Sequence, residues 1–335
     1  HHMDTKFIDI VATTDRLARD PVARDLIQHL DTNASSFGLT EATVYCDFPV
    51  YTDNEGTPYS PDLLLVSPLH GVIPIRTSPI DATSLLAADA TMGQFSSLLF
   101  SRFLKSPSLH TFSQLQFAIN PTLIRHESSH ADGQEDVRSH LVTSLSGFSS
   151  LLASLRLSSP LAKPLTDEIH SVVEGAKALT RPTKRTIADP QRHKMAAALR
   201  NLEAEIANFD QRQRRAALVN VAGPQRIRGP AGSGKTVILA MKAANLHMIK
   251  PDARILVTFH TTSLPATVKA LIAKFYRHFK DEEPDWDLVH VRHSWGGSAL
   301  GGTYSEACRR AGMASLNFGQ ASSKVGNKQA LDHAC

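Results

Sequence analysis

Apolar positions recur along this chain in two rhythms. Val22, Leu26, Ile27 and Leu30 follow Asp20-Pro21 at helical spacing. An acid followed by proline marks a helix start, because the carboxylate accepts a free N–H and proline has none to lose. Leu85, Met92, Phe95, Leu99 and Phe103 form a second stripe and predict a helix over 82–105. Between them the rhythm shortens. Residues 43–45 and 48–50 predict a strand interrupted by Pro49. Two apolar runs, 63–66 and 71–75, flank Ser67-Pro68-Leu69-His70 and predict a hairpin of buried strands. Residues 117–119 and 123–124 predict one more strand before a polar stretch at 126–133. From 137 to 179 the pattern is helical and rich in Ser and Leu, and Arg181-Pro182-Thr183-Lys184-Arg185 has linker composition. Met195, Leu199, Leu202, Ile206 and Phe209 predict an amphipathic helix. After it the pattern becomes strand (225–228), Gly-rich turn, helix, strand (255–258) and helix, the mark of a parallel, helix-covered sheet.

Length and charge divide this pattern further. The 335 residues amount to about two domains. Residues 1–175 carry 11 Lys/Arg against 20 Asp/Glu, whereas 176–235 carry 13 against 4 and 236–335 carry 12 against 8. An acidic first half joined to a basic second half implies modules with different partners, and the basic part favours phosphate. No run of 18 apolar residues is present, which excludes a membrane-spanning helix and a membrane partner of that kind. Cys46, Cys308 and Cys335 are odd in number and widely spaced, which argues against a disulfide framework or a Cys-rich zinc site and fits a cytoplasmic location. His1-His2 reads as a tag remnant.

One stretch carries explicit chemistry. Gly229-Pro230-Ala231-Gly232-Ser233-Gly234-Lys235-Thr236 fits the phosphate-loop pattern G-x-x-x-x-G-K-[ST] in full. Its glycines, Gly229, Gly232 and Gly234, let backbone N–H groups wrap phosphates with no Cβ in the way, and Ser233 lies within the same wrap. Lys235 places a point charge at the β/γ-phosphates, and Thr236 offers a hydroxyl to Mg²⁺. The cofactors expected are therefore ATP and Mg²⁺. Thr258, Phe259 and His260 lie at the carboxyl end of the next strand, where ligands collect in open α/β sheets. An aromatic face beside hydroxyls suits a single nucleic-acid strand.

These segments together resemble superfamily I helicases of the UvrD/Rep-like group, over roughly residues 200–310. Asn208-Phe209-Asp210-Gln211-Arg212-Gln213 looks like the Q motif that precedes their phosphate loop, and Gln213 is the matching adenine-reading position. Residues 255–264 look like the motif that contacts the single strand. His293-Ser294-Trp295-Gly296-Gly297 and Gly302-Thr303-Tyr304-Ser305 resemble a pattern in members that also carry a nuclease-related domain. The front half looks like that restriction-endonuclease-like domain. An active member has an Asp at the start of its hairpin and a Glu-x-Lys triplet after the second strand. Asp62 fits the first place, but the triplet reads Arg76-Thr77-Ser78, so the resemblance implies the fold without the nuclease chemistry. Arg76 is expected to pair with Asp62 across the hairpin.

The resulting expectation is an α/β chain in three parts. A nuclease-related, inactive domain spans 1–135, a helical linker 136–195, and a first, incomplete RecA-like phosphate-loop domain with a parallel sheet 196–335. A motor of this kind needs an Asp-Glu motif and an arginine finger. Asp281-Glu282-Glu283 follows a helical run and reads as a solvated loop, so the chain is expected to stop short of that motif, with 327–333 helical at its end. The function implied is the N-terminal part of an ATP-dependent helicase acting on single-stranded nucleic acid, DNA rather than RNA, with the front domain available to a protein partner. Two alternatives stand beside it. One is an ATP-binding switch without motor activity; the other is an active Mg²⁺ nuclease using Asp25 and Asp62. His126, His130 and His140 lack a partner in sequence that would complete a zinc site.

Overall fold

The computed structural model describes residues 7–78, 84–125, 136–175, 211–220, 223–230, 233–261, 264–296, 301–327 and 329–330. The chain divides into two units, and each takes up more than one stretch of sequence. The first comprises 1–181, 209–229 and 278–281, the second 182–208, 230–277 and 282–335. Both mix helix with largely parallel sheet.

In the first unit the elements run β1 (Asp9–Ala12), α1 (Pro21–Thr32), α2 (Ala34–Phe37), β2 (Thr43–Cys46), β3 (Tyr51–Thr52), β4 (Pro58–Tyr59), β5 (Leu63–Ser67), β6 (Gly71–Arg76), α3 (Leu85–Leu104), β7 (His110–Thr111), β8 (Gln114–Leu115), β9 (Thr122–Ile124), β10 (His140–Val142), α4 (Leu145–Leu155), α5 (Lys163–Val173) and α6 (Gln211–Leu218). Six strands make one sheet in the order β1-β2-β5-β6-β9-β10. The β5–β6 hairpin lies at its centre and is antiparallel, in the register Leu63↔Ile75, as is the neighbouring pair β2–β5, while β1–β2, β6–β9 and β9–β10 are parallel. The central strands are apolar at successive positions and all of β5 is buried, as a sheet covered on both faces requires. Leu63, Leu65, Ile73 and Ile75 share one core with Leu26, Ile27 and Leu30 of α1 and Phe148 and Leu152 of α4. Asp20 caps α1 by accepting from the Ala23 N–H at 2.9 Å, with Pro21 in the first turn.

Residues 136–175, expected to be linker, are part of this unit. They supply the sheet's last strand, β10, and two helices, α4 and α5, rather than a continuous helical pattern. His140, Leu141 and Val142 are a short strand because β9 offers them an open edge, a tertiary pairing that no local period encodes. The strand at 43–50 is interrupted as the proline implied: β2 ends at Cys46, and pairing resumes at Tyr51 after a cis Phe48–Pro49 bond. The helix expected over 195–209 and most of that expected over 327–333 lie outside the described residues.

A buried polar cluster joins three distant stretches. Glu174 has 0% exposure. Arg214 of α6 pairs with it, and the Tyr45 hydroxyl donates to its Oε1 at 2.7 Å. Tyr45 has a single hydroxyl proton, so His170 Nδ1 must carry the hydrogen that reaches Tyr45 Oη at 2.7 Å. Burial pushes the Glu174 carboxyl up, opposed by Arg214, and pushes the His170 imidazole down to about 4. His70, 2% exposed, is likewise held down at about 4 by burial, with Arg156 adding to the effect.

Removing one member of this pair leaves the other buried and uncompensated. Arg214→Ala is therefore expected to cost about 3–5 kcal/mol, and the double change Glu174→Gln with Arg214→Met much less. Hydrogen exchange at β2 and α5 measures both. The imidazoles of His70, His170 and His278, each held down at about 4, outnumber the one raised carboxyl, Glu174, and so fix the sign of the pH response. Below pH 6.5 the unfolded chain binds protons that the folded unit refuses until about pH 4. Stability of this unit is expected to fall as pH drops through that window, and exchange protection read at several pH values tests it.

Candidate functional site

The described part of the second unit starts at Pro230 and holds α7 (Lys235–Ile249), β11 (Ile255–Phe259), α8 (Leu264–Lys280, whose last three residues group with the first unit), β12 (Val289–His293), α9 (Thr303–Arg310) and α10 (Phe318–Val325). Strands β11 and β12 are parallel, in the register Ile255↔Val289 to Phe259↔His293. The strand expected at 225–228 is not formed. Gln225, Arg226 and Arg228 are exposed, and 225–228 enter no ladder among the described residues. A strand exists through a partner for its N–H and C=O groups, and β11 pairs with β12 instead.

The phosphate-loop sequence ends in the expected turn into a helix. Gly234 is the residue before α7 and has φ 69°, a left-handed conformation that glycine adopts without strain. Lys235 is the first residue of the 15-residue helix and Thr236 the second. The Lys235 ammonium donates to the Pro230 carbonyl at 2.6 Å and to Ser233 Oγ at 3.3 Å, so it reaches back across its own loop. Gly229 ends the 209–229 stretch that groups with the first unit, and Ala231 and Gly232 lie outside the described residues. Gln213 is half-buried on α6, in the first unit, next to the Arg214 that pairs with Glu174.

The carboxyl ends of β11 and β12 meet around His293. Its Nε2 faces the His260 carbonyl at 2.8 Å and must donate, while its Nδ1 accepts from the backbone N–H groups of Trp295 and Gly296 at 3.2 and 2.9 Å. These bonds fix one tautomer and hold the turn after β12 against the end of β11. Ser294 Oγ donates to the Phe259 carbonyl at 2.9 Å, which leaves it to accept from His260 Nδ1 at 3.3 Å. The turn then crosses the start of α9. Gly296 has φ 83°, and a Cβ on it would collide with the Gly302 backbone. Trp295, 6% exposed, packs on Tyr304 and Phe318 and donates its indole N–H to the Leu316 carbonyl at 2.9 Å. A cavity of about 1190 Å³ opens beside these groups, lined by His260, His293, Trp295, Glu306, Arg309 and Phe318 among others. Of the residues assigned to nucleic acid from the sequence, His260 lines it; Thr258 is exposed and Phe259 half-buried at the same strand end. Sequence reasoning missed Arg309 and Phe318, which join the site only through the fold of 301–318.

The hairpin of the first unit arranges its carboxylate differently from the expectation. Asp62, 5% exposed, accepts the N–H groups of Thr77 and Ser78 and the Ser78 hydroxyl, each at 2.8 Å and all on Oδ2. Arg76 does not pair with it; its Nε is buried without a hydrogen-bond partner. The nearer, geometrically fixed donors of the following turn take the place assigned to the guanidinium. Asp25 is exposed on α1 and borders a separate cavity of about 320 Å³ with Arg125. Among the described residues no group of three or more His, Cys, Asp or Glu is placed to hold a metal ion, and no helix is long and apolar enough to cross a membrane. His126 and His130 lie outside the described residues. Cys46 is buried and its thiol is pushed up to about 12, chiefly by desolvation, which leaves it unreactive as a nucleophile.

Compared with protein-family models, curated proteins and solved structures, the chain matches none.

His293→Ala would strand two backbone N–H groups in the turn. A loss of about 2–3 kcal/mol is expected from the second unit. Both tryptophans, Trp286 and Trp295, belong to that unit, so the denaturation midpoint followed by tryptophan emission should shift in His293→Ala.

Proposed function

We propose that this chain binds ATP with Mg²⁺ through residues 229–236 and belongs to an ATP-dependent superfamily I motor acting on single-stranded nucleic acid. The observation that carries the reading is the turn into α7. A left-handed glycine is followed directly by a lysine at the first position of a long helix, in a sequence that fits the phosphate-loop pattern throughout. Backbone N–H groups at such a helix start, with the positive end of its dipole behind them, favour phosphate. In this reading Lys235 exchanges its Pro230 carbonyl for β/γ-phosphate oxygens, Thr236 supplies a hydroxyl to Mg²⁺, and Gly229, Gly232, Ser233 and Gly234 supply backbone. Gln213 is assigned to adenine by the sequence pattern around it. Thr258, Phe259 and His260, at a parallel strand's carboxyl end, are assigned to the nucleic acid.

The first unit is the accessory module of this proposal, a nuclease-like domain without nuclease chemistry. The three bonds on Asp62 Oδ2 support that part: they employ the oxygen as a turn acceptor, and an arginine stands where a second acid is needed to converge on Mg²⁺.

Lys235→Ala is expected to lower affinity for a fluorescent ATP analogue by at least about tenfold, since a charge-assisted contact to phosphate is lost. Its melting temperature should equal that of the parent chain. The chain itself is expected to hydrolyse ATP at close to background, because Asp281-Glu282-Glu283 is the surface turn that follows α8 rather than the end of a strand. Equal analogue binding by Lys235→Ala, or strong turnover that the substitution abolishes, would contradict the respective half of the reading.

A further inference from the structure

The cavity beside His293 contains an aromatic side chain that the packing of its unit does not fully use. Phe318 is 51% exposed, a large apolar residue left in water at the edge of a concave surface. It is nonetheless held firmly. Its ring meets the buried Trp295 edge-on at 5.7 Å. Its backbone begins α10, where Asn317 accepts from the Gln320 N–H at 2.8 Å and the Gln320 side chain accepts from the Asn317 N–H at 2.9 Å. Capping at both groups fixes the first turn of that helix. A rigid, half-exposed ring of this kind gives up little conformational entropy when something flat is laid on it.

The groups around the ring narrow the chemistry of the occupant. With His260 Nδ1 directed to Ser294 Oγ, its Nε2 is left as an acceptor at the cavity wall. Arg309, which lines the cavity, and Arg310, which lies outside its lining, both bond Glu306, so the carboxylate at that wall is answered by two guanidiniums. The Glu306 carboxyl is accordingly held below its usual range by the two arginines. A flat aromatic surface, an imidazole edge and a guanidinium that answers a carboxylate match a nucleobase with its phosphate. The volume, about 1190 Å³, exceeds what a single small ligand fills and leaves room for neighbouring units of a strand.

We propose that this cavity receives one base of a single nucleic-acid strand, stacked on Phe318, with the His260 edge beside it. The proposal rests on the nucleic-acid reading of the strand ends given above and extends it to residues of the 301–318 segment. Base stacking on an aromatic side chain tolerates any sequence, because every base has a π-face.

The full chain can be tested with a fluorescently labelled oligothymidylate and with an abasic strand of the same length. The parent should prefer the strand that carries bases. Phe318→Ala should weaken oligothymidylate binding by about tenfold while leaving the abasic strand's affinity unchanged, and Phe318→Tyr, which keeps the π-face, should retain the parent's preference. Tryptophan emission of each variant checks that the ring's support is intact. Should Phe318→Ala bind both strands as the parent does, the stacking site is overturned while nucleic-acid binding by the unit stands. If the parent binds neither strand, the stacking site falls together with the reading on which it rests.

Discussion

A carboxylate with no exposure to water has to be answered from inside the protein, and in the first unit Glu174 is answered from β2 and α6 at once. Tyr45 and Arg214 are separated in sequence by most of that unit, yet each gives Glu174 a hydrogen bond. An unpaired charge there would cost more than a typical point mutation removes from a domain. The cluster therefore ties α5 and α6 to β2. Hydrophobic burial gives the unit its bulk, but apolar contacts tolerate rearrangement, whereas this network has one satisfying arrangement. The stretch 209–229, remote in sequence from the rest of the first unit, belongs to it for that reason.

The second unit is organised around the ends of two parallel strands. Parallel pairing places the carboxyl ends of β11 and β12 side by side, and the loops leaving them have to diverge. His293 manages that divergence with both ring nitrogens, bonding the end of one strand and the turn after the other. The imidazole thereby becomes part of the scaffold, and His260, whose carbonyl accepts from it, keeps a ring nitrogen available at the cavity. Two histidines at the ends of adjacent strands, His293 opposite Phe259 and His260 one residue beyond it, so hold different offices. Their spacing in sequence does not distinguish them; only their hydrogen bonds do.

Much of this architecture was legible before folding was considered. The Asp20-Pro21 start, the β5–β6 hairpin and α3 all come from local period and local chemistry, and local signals survive because neighbouring residues carry them together. The phosphate-loop turn was legible for the same reason, since its glycine and lysine are adjacent. Other elements depend on partners far away in sequence. Residues 140–142 are a strand because β9 lies open beside them, and 225–228 are not one because no neighbour pairs with them among the described residues. Asp62 illustrates a smaller misreading: opposite charges facing each other across a hairpin suggested a pair, but the backbone N–H groups of the turn directly after Arg76 need no rotamer to be frozen and hold the carboxylate instead. Phe318 was invisible as a site residue because the short apolar stretch around it, with Met313 and Leu316, gives no sign of which side chain the fold leaves exposed.

The close approach of Gly296 and Gly302 has a consequence for how this unit can change length. A side chain on either residue would overlap the other's backbone, so the two positions form a neck at which the chain meets itself. The strand ends, the His293 bonds and the Trp295 packing all involve residues outside the stretch between them. Lengthening a loop whose ends are already held together costs little, since closure entropy grows only with the logarithm of loop length. Residues inserted between 296 and 302 would therefore leave β12 and α9 where they are. The neck marks the point where this unit can acquire a whole additional segment without redesign, provided that its two glycines are kept.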